Sequence, residues 1–232
     1  MRENQANKPL KVGKLQPELL AEFLSELDES NQRVLLGPGV GEDAAFISFG
    51  SSTLIAKSDP VTFPAERIGW HAIQVNANDI AASGGTPKWF LATLLLPENE
   101  SASTAKAIFE QLRDATAELG ITLIGGHTEI TTGLTRPIVA GTMLGEAAPS
   151  ETLSTASTKP GEHLILTSGI AIEGTAIIAK ESRNELSRKG LSETEIDGAA
   201  KLIDVPGISI VRAAGIAAST GNVTAMHDAT EG

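Results

Sequence analysis

The sequence predicts an α/β (α+β) fold in two domains, on three observations. Short β-like runs alternate with amphipathic helical stretches, glycine and proline bound those runs, and a stretch rich in small and polar residues divides the chain at 146–161. The N-terminal domain is placed at 1–150 and a C-terminal α/β domain at 159–232.

Residues 1–14 are polar and read as an arm. From Leu15 the apolar positions Leu19, Leu20, Phe23, Leu24 and Leu27 follow helical spacing. Ala44–Ser48 and Thr53–Lys57 flank Gly50-Ser51-Ser52, the pattern of a hairpin. Glu66–Ser83 reads as a helix stopped by Gly84-Gly85, and Trp89–Leu96 as a buried strand closed by Pro97. Ser103–Leu119 is an amphipathic helix with Ile108, Phe109, Leu112 and Leu119 on its apolar side. Ile121–Ile124 and Ile138–Leu144 are strands joined by a loop over 125–137. Beyond the divide, His163–Thr167 and Val223–Met226 read as strands, and Ala171–Glu181, Arg183–Lys201 and Ser209–Ala218 as helices. A chain that stops just after a strand gives the expectation of a C-terminal domain present only in part.

Hydrophobic residues make up 41% and charged residues 20%, a globular composition. The formal net charge of -11 argues against a nucleic-acid partner, because phosphate backbones are bound through surplus Lys and Arg. No apolar run approaches the roughly 20 residues that cross a bilayer, so no membrane role is expected. Cysteine is absent, which removes disulfides, thiolate metal sites and cysteine nucleophiles and fits a cytoplasmic enzyme.

Four segments place acids beside glycines or at strand ends: Gly41-Glu42-Asp43, Lys57-Ser58-Asp59-Pro60, Asn76-Ala77-Asn78-Asp79, and Gly125-Gly126-His127-Thr128-Glu129. Asn76, Asp79 and Ser83 share one helical face by their i, i+3, i+7 spacing. Hard divalent cations in nucleotide sites use a few carboxylates plus phosphates and water, so acids from separate segments suit such a site. Each also has an ordinary reading: Asp43 as a turn cap, Asp59 as an Asx-turn before Pro60, Asp79 as a solvated helix residue. A Walker phosphate loop and a GxGxxG motif are both missing.

In combination, Gly41–Ala45, Ser58-Asp59, Val75–Gly84 followed by Pro87, Gly125–Thr128 and His227–Gly232 resemble the aminoimidazole ribonucleotide synthetase superfamily in order and spacing. The resemblance covers about residues 30–232, and Gly39–Leu96 with Met226–Gly232 sits nearest the synthetase-related, hydrogenase-maturation-dehydratase-like branch. It implies two α/β domains, a homodimer formed through the N-terminal domain, and ATP with magnesium as cofactors. It further implies phosphoryl transfer to an oxygen of an amide or carboxamide-type acceptor. A small-molecule kinase resembling thiamine-monophosphate kinase and a non-catalytic dimeric module are the alternatives. Carried onto this chain, the metal-binding positions are Asp43, Asp59, Asp79, Asp228 and Glu231, and the nucleotide contacts are Lys57, Ser58, Asn76, Gly126, His127 and Thr128. No catalytic residue is assigned. Glu42 stands where the family has a first Asp, and His127 stands where it usually has an acid.

Overall fold

The structure is a computed structural model that describes residues 13–27, 30–63 and 66–229. Helix α1 (Pro17–Leu24) starts at a proline, whose fixed φ suits the first helical position. It buries none of its residues fully: Leu19, Leu20 and Leu24 are half-buried and Phe23 is exposed.

Strands β1 (Val34–Leu36), β2 (Ala45–Phe49) and β3 (Ser52–Val61) follow, then helix α2 (Ile68–Ala82), β4 (Thr86–Pro97), α3 (Ala102–Glu118), β5 (Thr122–Thr131) and β6 (Ile138–Ala147). The β2–β3 hairpin closes Phe49 against Ser52 around Gly50, whose φ of 65° suits the tight turn. All six strands form one sheet in the order β1-β2-β3-β6-β4-β5. Only β4 and β5 pair in parallel, joined by the α3 crossover. Pro60 is tolerated inside β3 because residues 57–61 pair with β6 alone, leaving the side its missing N–H would face unpaired.

Helix α2 lies against β3, β6 and β4 and is flanked by α3 and α7, which buries it on nearly every side. Glycines permit that approach. A Cβ on Gly145 would sit 2.2 Å from Ile80 Cγ2, and one on Gly141 would sit 2.6 Å from Asn76 Nδ2. Ile55, Ile73, Ile80, Phe90, Val139 and Met143 form the fully buried centre. In α3, Ile108 and Leu112 are buried as the periodicity predicts, whereas Phe109 is exposed.

Three expectations about strands and turns are corrected. First, Gly125-Gly126 is not a turn but lies inside β5, paired with Leu91 and Ala92. The two glycines have φ of 149° and 147°, and a Cβ on Gly126 would come 1.9 Å from the Ala92 carbonyl oxygen, so the strands approach closer than any side chain allows. Gly126→Ala is therefore expected to lower the melting temperature by at least ~5 °C, equivalent to about 2 kcal/mol at this size. An unchanged melting curve would contradict this packing. The second and third corrections concern His163–Thr167 and Val223–Met226. Neither segment pairs with a strand among the described residues, and Leu164, Ile165 and Leu166 are exposed. Strand-like residues make a strand only where a neighbour takes their backbone hydrogen bonds.

After β6 the described chain holds a short 3-10 turn (Thr155–Ser157) and helices α4 (Ile172–Glu181), α5 (Arg183–Arg188), α6 (Glu193–Lys201) and α7 (Val211–Ser219). Gly190 divides the expected single helix over 183–201 into α5 and α6. Ser192 caps α6 with a reciprocal Glu195 capping box. A small core of Ala176, Ile203 and Ile208 packs on Trp70 of α2, fastening this part to the sheet domain.

Candidate metal centre

Gly41, with φ of 88°, turns the chain so that Glu42 and Asp43 point to different places. Glu42 Oε1 accepts from Ser154 Oγ (2.9 Å), Thr155 Oγ1 (3.0 Å) and the Ala156 N–H (3.2 Å), tying down the segment after β6. Asp43 is left for the cluster.

The alternation of β3 puts Lys57 and Asp59 on the side facing α2 and Ser58 on the other. Lys57 Nζ lies 2.9 Å from Asp79 of α2 and 3.5 Å from Asp59. Ser58 donates to the Gly141 carbonyl (2.9 Å) and accepts from Thr142 Oγ1 (3.2 Å). Asn76 is fully buried and does not reach the cluster. Its Nδ2 donates to the Ala72 carbonyl (2.8 Å) and the Asp59 carbonyl (3.4 Å), and its Oδ1 has no partner. Asn76 thus props the strand that presents Asp59. Asp79 and Ser83 share its face of α2 and are buried, so Asp79 is not a solvated helix residue.

The far end of the described chain comes back to these acids. His227 Nδ1 lies 2.8 Å from Asp43 Oδ2, and the buried Asp228 carboxylate comes near enough to Asp79 for the two charges to repel. Asp43, His227 and Asp228 each offer a donor atom, all within 4.8 Å of one another. The sequence reading gave His227 no role, although its place beside Asp228 was the available signal.

Asn78 was also passed over. It is fully buried, donates to the Ile208 carbonyl (2.8 Å) and accepts from the Ile210 N–H (2.9 Å). That clamp holds the start of α7 next to Asp79. A buried pair of His71 Nδ1 and Glu173 Oε1 (2.6 Å) and an Arg67–Asp204 contact (2.6 Å) fasten the same two parts at the other end of α2.

Gly126, His127 and Thr128 are not in this cluster. Asp59 is in register with Gly141, Gly141 with Ala92, and Ala92 with Gly126, which places Gly126 three strands away, roughly 14 Å. His127 is exposed and faces Glu129 at 3.4 Å. Glu231 lies outside the described residues.

Burial pushes Asp79 up to about 7; Lys57 opposes this, and the charges of Asp228 and Asp43 reinforce it. Burial, then Asp43, raises Asp228 against the opposing pull of His227 and Lys57. Burial works against the Lys57 ammonium, but Asp79, Asp59 and Asp43 outweigh it and hold Lys57 above its ordinary value. Crowded carboxylates that resist ionisation beside a convergent donor set are what a divalent cation would relieve. The residues present fit such an ion, with the carboxylates suiting magnesium and the imidazole also suiting manganese.

Residues 41–147 match the family described as AIR synthase related protein, N-terminal domain. The chain carries an AIR synthase related domain. It is similar to the thiamine-monophosphate kinase of Pyrococcus horikoshii, 26% identical over 186 residues, covering 77% of this chain and 56% of that protein. It is also similar to the carbamoyl dehydratase HypE of Cupriavidus necator, 24% identical over 184 residues, covering 74% of this chain and 52% of that protein. Selenide, water dikinases are among the other matches. Among solved structures, AaThiL complexed with AMPPCP and TMP shares the fold, with a TM-score of 0.63 at 18% identity over 85% of this chain and 59% of that one. The chain spans about half the length of the curated relatives it matches. The superfamily resemblance holds for the AIR synthase related domain, and its relatives spread over three activities rather than one branch.

Proposed function

We propose that the whole protein is an ATP- and magnesium-dependent phosphoryl-transfer enzyme, acting on an oxygen of an amide or carboxamide-type acceptor. The observation that carries this reading is the convergence of Asp43, Asp79 and Asp228 from three separate segments, with Lys57 among them. Asp43, Asp228 and His227 would hold the ion, with Asp79 and Asp59 beside it. A bound magnesium would supply charge neutralisation for the phosphates. The chain's own residues position and balance charge: Lys57 offers three N–H donors toward anionic oxygens, Asn76 sets the β3 backbone under Asp59, and Asn78 holds α7 in place. Structures that share this fold were solved with AMPPCP or with ATP, which supports a nucleotide ligand.

A kinase acting on a small molecule such as thiamine monophosphate is the second reading, favoured by the thiamine-monophosphate kinases among the similar proteins. Formation of thiamine diphosphate would select it. Both readings include a homodimer. The sheet face away from α2 carries Leu54, Trp89, Leu91, Leu95 and Leu144 with no helix over it among the described residues, and the β5 edge exposes Ile124 and Ile130. A second copy would cover both, and could bring Gly126, His127 and Thr128 to a shared nucleotide site.

Calorimetry with a non-hydrolysable ATP analogue and magnesium tests the function. Asp43→Asn is expected to weaken binding about tenfold or more, equivalent to ~1.4 kcal/mol. Equal affinity in variant and wild type would dispose of the proposal. Light scattering at micromolar concentration checks the dimer, which a monomer would refute.

A further inference from the structure

We infer that the Lys57 ammonium fills a second cation position in the acid cluster, so that one chain takes a single divalent ion where its carboxylates would otherwise hold two. This rests on the metal-binding reading above and concerns how many ions the site accepts.

The cluster has two halves. In one, Asp43, His227 and Asp228 bring their donor atoms within 4.8 Å of one another. In the other, Asp79 and Asp59 come from a helix and a strand and both face Lys57 Nζ, at 2.9 Å and 3.5 Å. An ammonium shared between carboxylates of two elements sits where a bridging metal would sit. Asp79 joins the halves by its closeness to Asp228, whose charge acts on it. Asp59 and Asp79 are absent from the convergent donor set, and Lys57 lies against both of them.

Lys57 cannot easily leave. Its backbone pairs with Met143 in the middle of the sheet, and its side chain is only 19% exposed against an Asp79 side chain 7% exposed. An ammonium is a compact charge with three donors, so it can serve two carboxylates at once. Charge is compatible with this count. With every carboxylate ionised and His227 neutral, Asp43, Asp59, Asp79 and Asp228 against Lys57 leave three negative charges, which one divalent ion reduces to one. Without Lys57 the four carboxylates match two such ions.

Counting bound Mn2+ by the electron paramagnetic resonance of the free ion, without nucleotide, tests this. Wild type is expected to bind one ion per chain and Lys57→Met two, with the second ion lost again in Lys57→Met/Asp79→Asn. Two ions in wild type, or one in Lys57→Met, would overturn the inference. Retention of one ion with loss of ATP-analogue affinity in Lys57→Met would also overturn it, making Lys57 a phosphate contact instead. No ion in wild type would defeat the metal reading itself, a distinct result. Lys57→Gln, checked for folding by circular dichroism, repeats the count if the methionine variant does not fold.

Discussion

Replacing Asn78 by alanine is expected to lower stability by about 3 kcal/mol and to loosen the segment that carries His227 and Asp228. Its amide is the partner of the Ile208 carbonyl and the Ile210 N–H, and it is fully buried. Truncation leaves two backbone groups without their partner, each costing about 1–3 kcal/mol. The lost side chain adds a cavity between α2 and the start of α7. A fall of roughly 5–10 °C in melting temperature follows for a chain of this size. The local consequence is more telling. Hydrogen exchange should accelerate from Ile208 through α7, while the sheet core around Ile55, Phe90 and Val139 keeps its protection. Mn2+ affinity should fall with it, because Asp228 follows α7 while Asp43 and Asp79 sit on the sheet domain. Asn78→Asp retains the acceptor toward Ile210 but cannot donate to Ile208, so it should not rescue the clamp. Uniform loss of protection across the whole chain would show that Asn78 is an ordinary core residue.

Asn78 also marks where sequence reasoning stops. Glu66–Ser83 was legible as a helix, because helical spacing and the Gly84 stop are local signals, whereas a metal-binding role for Asp79 came only from the family resemblance. Which asparagine would reach a turn 130 residues later was not local. The same distinction explains β5. Two adjacent glycines read as a turn from sequence, yet their φ values serve a close parallel pairing with β4, a contact that only the tertiary arrangement specifies. His163–Thr167 failed in the opposite way. Its apolar, β-prone residues are a strand signal, but a strand exists only with a partner, and none pairs with it among the described residues. In the site, Asp43, Asp79 and Asp228 came from resemblance and were brought together by the fold. His127 came by the same route and lies three strands away. Lys57 was assigned to the nucleotide, whereas its partners here are Asp79 and Asp59.

In the ion-free protein, stability is expected to fall as pH rises from about 4 to about 7, and Asp79→Asn should remove much of that fall. Asp79 titrates near 3.8 in an unstructured chain and at about 7 in the fold, because burial outweighs the attraction of Lys57 while Asp228 and Asp43 add repulsion. A carboxyl raised in the folded state stabilises the protein fully below its unfolded value. That contribution is lost as pH climbs through the folded one. Asp228 is raised as well and acts in the same direction. Lys57 does not act in this window, because its own value already lies above the ordinary lysine range. The rise at Asp79 corresponds to ~4 kcal/mol at most. The measured loss will be smaller, because Asp79 and Asp228 repel one another and their titrations are not independent. Urea unfolding in the presence of a chelator, at about pH 5 and about pH 8, reads this directly. Wild type should be less stable at the higher pH, and Asp79→Asn nearly level. Saturating Mn2+ should restore wild type at the higher pH far more than at the lower, since the ion competes with these protons for the same carboxylates. Equal pH slopes in wild type and variant would mean that Asp79 is already ionised in the fold, held by Lys57 alone.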